Sequence, residues 1–100
     1  SDAFEDRLEK LMPICKKLIT DDNGRVRQAA INAFGSFRGE KSKSDGDKYV
    51  ELYLALQRMH NAESGKKKEA ISRLLDRLWC PFLEMLMNER GYSPVEEDEN

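Results

Sequence analysis

Apolar residues recur at helical spacing in two consecutive runs near the start of the chain. The first run has the i, i+3, i+4, i+7, i+8 spacing of a helix with one buried stripe, at Leu11, Ile14, Cys15, Leu18 and Ile19. The polar residues 21–24 (DDNG) then tolerate turn geometry and can cap a following helix. The second run continues at the same period, at Val26, Ala29, Ala30, Ala33, Phe34 and Phe37. We predict two helices joined by a tight turn, with small alanines that let the second helix pack closely on the first.

Several residues of this predicted hairpin also fall at the spacing of a known repeat motif. They are Pro13, Leu18, Ile19, Asp21, Val26, Arg27, Ala30, Ala33, Phe34 and Gly35. With these residues, the stretch 11–37 resembles a HEAT repeat, the helical hairpin of α-solenoid proteins, although the family usually has Leu where Phe34 stands. The resemblance implies an all-α scaffold in which Asp21 and Arg27 form a structural pair that aligns neighbouring repeats. The alternative is a helix-terminal carboxylate and a solvated arginine.

The rest of the chain also predicts helices, separated by polar breaks. Residues 38–47 (RGEKSKSDGD) have no apolar side chain and predict a flexible loop. Apolar spacing predicts a third helix at about 47–60 and a fourth from about residue 67. Pro13 and Pro81 each impose a kink or a restart on the helix that contains them. We predict an all-α fold of four to five helices, with a HEAT-like hairpin followed by a less regular helical pair.

The end of the chain differs in composition from the predicted helices. Residues 78–89 echo residues 10–21, but the chain then continues as GYSPVEEDEN, where Pro94 and the acidic run disfavour a further helix. We expect one α-helical domain at 1–92 and an acidic, disordered tail at 93–100, with Ser93 as a candidate modification site. A further hypothesis is that this tail folds back on the lysine-rich loops. The start at Ser1, without Met, suggests a piece of a longer helical-repeat protein.

Composition narrows the class of protein. The net charge of −2 gives no bulk attraction to nucleic acid or to acidic membranes. No apolar run approaches the roughly 20 residues that span a bilayer, and no signal-peptide pattern opens the chain. We therefore expect an intracellular protein, cytoplasmic or nuclear, without a membrane partner. Cys15 and Cys80 lie among apolar residues and are expected to be reduced, buried thiols.

Residues for catalysis or for metal binding are sparse in the sequence. His60 is the only histidine, which removes His-based metal clusters and most acid–base schemes. The DDNG turn resembles part of a calcium loop, but Ile19 and Ala30 stand at the first and last ligand positions of that loop. A nucleophile elbow, a phosphate-binding glycine loop and an HExxH motif are all missing from the sequence. We predict no enzyme activity, no cofactor and no metal.

Two sets of residues are candidates for binding a partner. The outward positions of the second helix, together with the 38–47 loop, are the candidates for binding another protein: Arg25, Gln28, Asn32, Ser36 and Arg38. The alternative is an RNA-binding module that uses two lysine-rich segments: Lys41, Lys43, Lys66, Lys67 and Lys68. Such side chains suit phosphate contacts, but aromatic residues for base stacking are not interleaved with them. We favour a protein-interaction or scaffold module that works by shape and charge complementarity.

Overall fold

The computed structural model describes residues 2–37 and 43–92 of the chain. Within these two ranges the backbone forms five helices and no strand. The helices are α1 (Asp2–Ile19), α2 (Gly24–Phe34), α3 (Lys43–Ala62), α4 (Gly65–Leu78) and α5 (Pro81–Glu89). The prediction of an all-α fold with four to five helices is confirmed.

The two internal prolines have different outcomes. Pro13 has no N–H to donate to the carbonyl of Glu9, yet α1 does not end there and continues to Ile19. Pro81 instead occupies the first turn of a new helix, α5, where its missing N–H would have had no intrahelical partner. The sequence predicted a kink or a restart at both prolines, and a restart is found only at the second.

The inward face of α2 differs from the predicted one. Ala30 and Phe34 are buried as expected, but Ile31 is also buried, whereas Ala29 and Ala33 are exposed. The prediction that Ala29 and Ala33 face the first helix is therefore wrong. Successive residues of a helix turn by about 100°, and α2 packs against both α1 and α4. Its buried face is consequently rotated towards Ile31.

The third helix starts earlier than predicted. It begins at Lys43, so residues 43–47, predicted as loop, are helical. Gly46 is already buried, and the carboxylate of Asp47 forms an ion pair with Arg90, just beyond α5. Tertiary contacts therefore stabilise a first turn whose composition predicts a loop. Helix α4 follows after a short turn and begins at Gly65, whose φ of 62° lies in the left-handed region that favours glycine.

The helices form two stacked hairpins in two layers. Tyr49, near the start of α3, donates a hydrogen bond to the carbonyl of Leu78 at the end of α4, so these helices are antiparallel. Asp22, just before α2, contacts Lys67 at the start of α4, and Gly35 lies against Arg77 near the end of α4. Helices α2 and α4 are therefore parallel and form one layer. Helices α1, α3 and α5 form the other, with α3 packed against both of its neighbours.

The core lies between the two layers. Its fully buried side chains include Ile19, Leu52, Leu56, Ile71, Leu74 and Leu78. Cys15 also belongs to it, and burial raises the pKa of its thiol to about 12, which keeps the sulfur protonated. Both cysteines are free, as predicted, although Cys80 is only half-buried. The tail at 93–100 lies outside the described residues.

Candidate functional site

The layer formed by α2 and α4 carries the row of residues that the sequence predicted for partner binding. Arg25, Gln28, Asn32 and Ser36 are all exposed along α2 and the turn that follows it. Within the row, the side-chain amide of Gln28 donates a hydrogen bond to Oδ1 of Asn32 at 3.1 Å. Arg38 lies outside the described residues. The row is accessible to a partner, and partner binding there stays a prediction.

The turn before α2 holds its shape through side chains that bond to the backbone. Oδ1 of Asp21 accepts a hydrogen bond from the backbone N–H of Asn23 at 2.8 Å. Oδ1 of Asn23 accepts from the N–H of Arg25, also at 2.8 Å, and so caps the helix. Nη1 of Arg27 reaches back and donates to the carbonyl oxygens of Asp21 at 2.7 Å and Asp22 at 3.0 Å.

The predicted pair of Asp21 and Arg27 is thus joined within one hairpin. The contact runs from the guanidinium to a backbone carbonyl, while the Asp21 carboxylate bonds to the backbone of Asn23. The side chain that crosses to the next hairpin is Asp22, whose Oδ1 lies 3.0 Å from Nζ of Lys67. This hydrogen bond, and the charge of Lys67, lower the pKa of the Asp22 carboxyl. The same contact raises the pKa of Lys67.

A polar cleft of about 180 Å³ runs between the parallel helices α2 and α4. It is lined by Gly24, Arg27, Gln28, Ile31, Lys66, Glu69, Ala70 and Arg73. Ile31 and Ala70 are buried and form an apolar floor, while charged side chains form the rim. The cleft is smaller than the roughly 300 Å³ at which pockets for whole small-molecule ligands begin. Its size suits a few side chains of a partner.

Sequence reasoning did not find two of the cleft residues, Glu69 and Arg73. They lie one helical turn apart on α4, and their charged groups are 3.9 Å apart. Their spacing is typical of a solvated helix face, so it carries no signal for a binding site. Only the stacking of α4 on α2 brings them opposite Arg27 and Gln28.

The structure places Lys43, the described lysine of the first lysine-rich segment, far from Lys66, Lys67 and Lys68. Lys43 is the first residue of α3, and Lys66, Lys67 and Lys68 lie in the first turn of α4. Helix α3 has 20 residues and is therefore about 30 Å long. Because α3 and α4 are antiparallel, their starts lie at opposite ends of the hairpin. Lys41 is outside the described residues.

A second groove, of about 320 Å³, lies beside α3 and the end of α5. Its lining includes Val50, Leu54, Arg58 and the exposed ring of Tyr92. The ion pair between Asp47 and Arg90 closes one part of it. This groove lies on the layer opposite to the predicted partner-binding row.

The described residues contain no cluster of three or more His, Cys, Asp or Glu side chains placed to hold a metal ion. None of the helices in the described ranges is both long enough and apolar enough to cross a membrane.

The chain was compared with models of known protein families, with curated proteins and with solved structures. The family model described as HEAT repeat matches residues 11–37, which cover the second half of α1, the turn, α2 and the residues up to Phe37. No curated protein matches the chain. No solved structure matches it. The resemblance of the α1–α2 hairpin to a single HEAT repeat is therefore confirmed.

Proposed function

We propose that this chain is a non-enzymatic protein-interaction module of the scaffold type, and a piece of a larger helical-repeat protein. The observation that carries the proposal is the HEAT-repeat match at residues 11–37, since repeats of this family are often used for protein–protein interaction. The proposed binding surface is the exposed row of α2, formed by Arg25, Gln28, Asn32 and Ser36.

The way α2 is held supports this choice of surface. Asn23 caps its first turn, Arg27 ties that turn to the chain before it, and Ala30, Ile31 and Phe34 anchor its other face in the core. A preorganised helix loses little conformational freedom when a partner binds. Ala29 and Ala33, exposed beside the polar row, leave room for a partner to approach the helix closely.

Cross-linking and affinity capture with the full chain test the proposal. We expect the double variant Arg25→Glu, Asn32→Glu, whose two residues do not line the cleft, to weaken the binding of a captured partner by about fivefold or more, since residues central to an interface contribute above 1 kcal/mol. Lys10→Glu is the matched control, because it reverses an exposed charge on α1, in the other layer. Equal capture by the double variant and by the control would contradict the proposal.

The RNA-binding alternative has less support, because Lys43 lies at the opposite end of the α3–α4 hairpin from Lys66, Lys67 and Lys68. It makes a distinct prediction, namely salt-sensitive binding of single-stranded RNA that disappears when Lys66, Lys67 and Lys68 are changed to Glu. A gel-shift titration at two salt concentrations measures it.

A further inference from the structure

Among the described residues, the lining of the cleft between α2 and α4 carries more cations than carboxylates. Arg27, Lys66 and Arg73 contribute three cations, and Glu69 contributes one carboxylate, 3.9 Å from Arg73. Lys66 forms no ion pair with any described residue, and Arg27 forms none with a described carboxylate. The cleft therefore has an excess of cations over acids.

The helix starts beside the cleft add to this charge. The first turns of both α2 and α4, as described, contain no acidic residue. Helix α4 opens with Lys66, Lys67 and Lys68, of which Lys67 is paired with Asp22. Cations are unfavourable at the positive end of a helix dipole. Because α2 and α4 are parallel, both positive ends lie at the same end of the cleft, where an anionic partner relieves the repulsion.

We propose that this cleft binds an acidic peptide segment in polyproline II conformation, with two carboxylates three residues apart. Lys66 and Arg73 are seven residues apart on α4, a distance of about 10 Å along the helix axis. A polyproline II chain rises about 3.1 Å per residue with three residues per turn, so residues i and i+3 lie on one side of the peptide about 9 Å apart. The inference rests on the proposed protein-binding function and names the chemistry of the partner.

The lining of the cleft favours a peptide over a nucleic acid. The Glu69 carboxylate can accept a hydrogen bond from a peptide N–H, a donor that a phosphodiester linkage does not have. The side-chain amide of Gln28 can both donate and accept, as peptide backbone requires. Ile31 and Ala70 offer a floor for the methylene groups of glutamate, and the lining contains no aromatic ring on which a base could stack.

Fluorescence anisotropy with the full chain tests the inference directly. The probe is a labelled peptide containing Glu-Ser-Ser-Glu, and its matched control contains Gln-Ser-Ser-Gln. We expect only the glutamate peptide to bind. Lys66→Glu should lower the affinity for this peptide by about fivefold or more, because it removes an exposed ion pair and adds a repulsion. Lys66→Arg and Lys10→Glu should retain binding. Raising the salt from about 50 to about 500 mM should weaken it.

A second measurement reports whether the chain's own acidic residues occupy the cleft. Amide NMR signals of Gly24, Gln28 and Ala70 are compared between the wild type and the variant Glu96→Gln, Glu99→Gln. Changed chemical shifts of these three amides would support the inference and identify residues 96–99 of the same chain as the acidic peptide. No peptide binding, together with no shifts, would overturn it. So would tighter binding of single-stranded RNA at Lys66 than of the peptide.

The two proposals fail separately. If the Arg25→Glu, Asn32→Glu variant loses the captured partner and the wild type binds no acidic peptide, the interaction module stands and the cleft is removed as an acidic-peptide site. Peptide binding that depends on Lys66, with capture unaffected by the double variant, places the contact in the cleft and removes the exposed row of α2 as the binding surface.

Discussion

The two stacked hairpins differ in how their turns are held. In the α1–α2 turn, Asp21, Asn23 and Arg27 each bond to the backbone through their side chains. In the α3–α4 turn, Ser64 stands at the N-cap position without a side-chain capping bond, and the chain turns instead through the left-handed backbone of Gly65. One turn is fixed by polar side chains, and the other by the conformational freedom of glycine.

The second helices of these hairpins differ in the opposite sense in the number of residues that they bury. Helix α2 buries three residues, Ala30, Ile31 and Phe34. Helix α4 buries five, which are Ala70, Ile71, Leu74, Leu75 and Leu78. The HEAT-repeat model matches the hairpin whose turn is held by side-chain hydrogen bonds and whose second helix buries fewer residues. Helix α2 of the matched hairpin nevertheless stacks in parallel on α4, which lies outside the matched residues.

The largest expected effect tests the assignment of α4 to the buried core. Leu74 is fully buried in α4, so Leu74→Ala should lower the free energy of unfolding by about 3 kcal/mol through lost burial and a residual cavity. Chemical denaturation monitored by circular dichroism measures it. Ala29→Ser on α2 is the control, and we expect a change within about 0.5 kcal/mol because Ala29 is exposed. An effect of Ala29→Ser as large as that of Leu74→Ala would contradict the assigned core.

Gly35 tests the contact between the two hairpins. A Cβ atom on Gly35 would lie 2.5 Å from the carbonyl oxygen of Ile31 and 3.1 Å from Cβ of Arg77. Gly35→Ala should therefore destabilise the fold by about 2 kcal/mol, since the Ile31 carbonyl belongs to the backbone of α2 and Cβ of Arg77 cannot rotate away. At Gly24 the nearest atom to such a Cβ is the flexible end of Arg27, at 3.3 Å. Gly24→Ala, measured by the same denaturation, should be neutral or stabilising.

A pair of cap variants sharpens the comparison between the turns. Asn23→Ala removes the hydrogen bond to the N–H of Arg25 and should cost about 1 kcal/mol. Ser64→Ala removes no side-chain capping bond and should cost less than about 0.5 kcal/mol. Thermal unfolding of both variants under one set of conditions measures the difference. Equal losses would mean that the two turns are held alike.

The sequence predicted helices well because their signal is local. The spacing of Leu11, Cys15 and Ile19 is enough to place α1, and the turn residues at 21–24 are enough to end it. The sequence-based prediction failed where contacts with a helix distant in sequence determine which residues are buried or helical. Ile31 is buried because α2 also faces α4, and residues 43–47 are helical where Asp47 meets Arg90.

The candidate site was predictable in part for the same reason. Arg25, Gln28 and Asn32 could be assigned to an outward face from helical period alone, and they are exposed. The cleft could not be assigned, because Glu69 and Arg73 become its rim only when α4 lies parallel to α2. That arrangement depends on contacts distant in sequence, such as the one between Asp22 and Lys67.

The smallest expected effect concerns this last contact and its dependence on pH. Lys67 lowers the pKa of Asp22, so the stabilisation is present above the ordinary carboxyl pKa of about 3.9 and is lost as the pH falls through the lower folded value. Asp22 raises the pKa of Lys67, so the stabilisation is present below about 10.4 and is lost as the pH rises through the higher folded value. The contact therefore stabilises the stack between these limits.

Asp22→Asn tests that window. We expect its midpoint of thermal unfolding to lie slightly below that of the wild type at neutral pH, and the two midpoints to converge as the pH is lowered towards 2. High salt should reduce the difference, because Asp22 is exposed. Lys10→Gln, which removes an exposed charge of α1, should leave the acid limb of the wild-type profile unchanged. A constant difference between wild type and Asp22→Asn down to pH 2 would show that the carboxylate charge does not hold α2 and α4 in register.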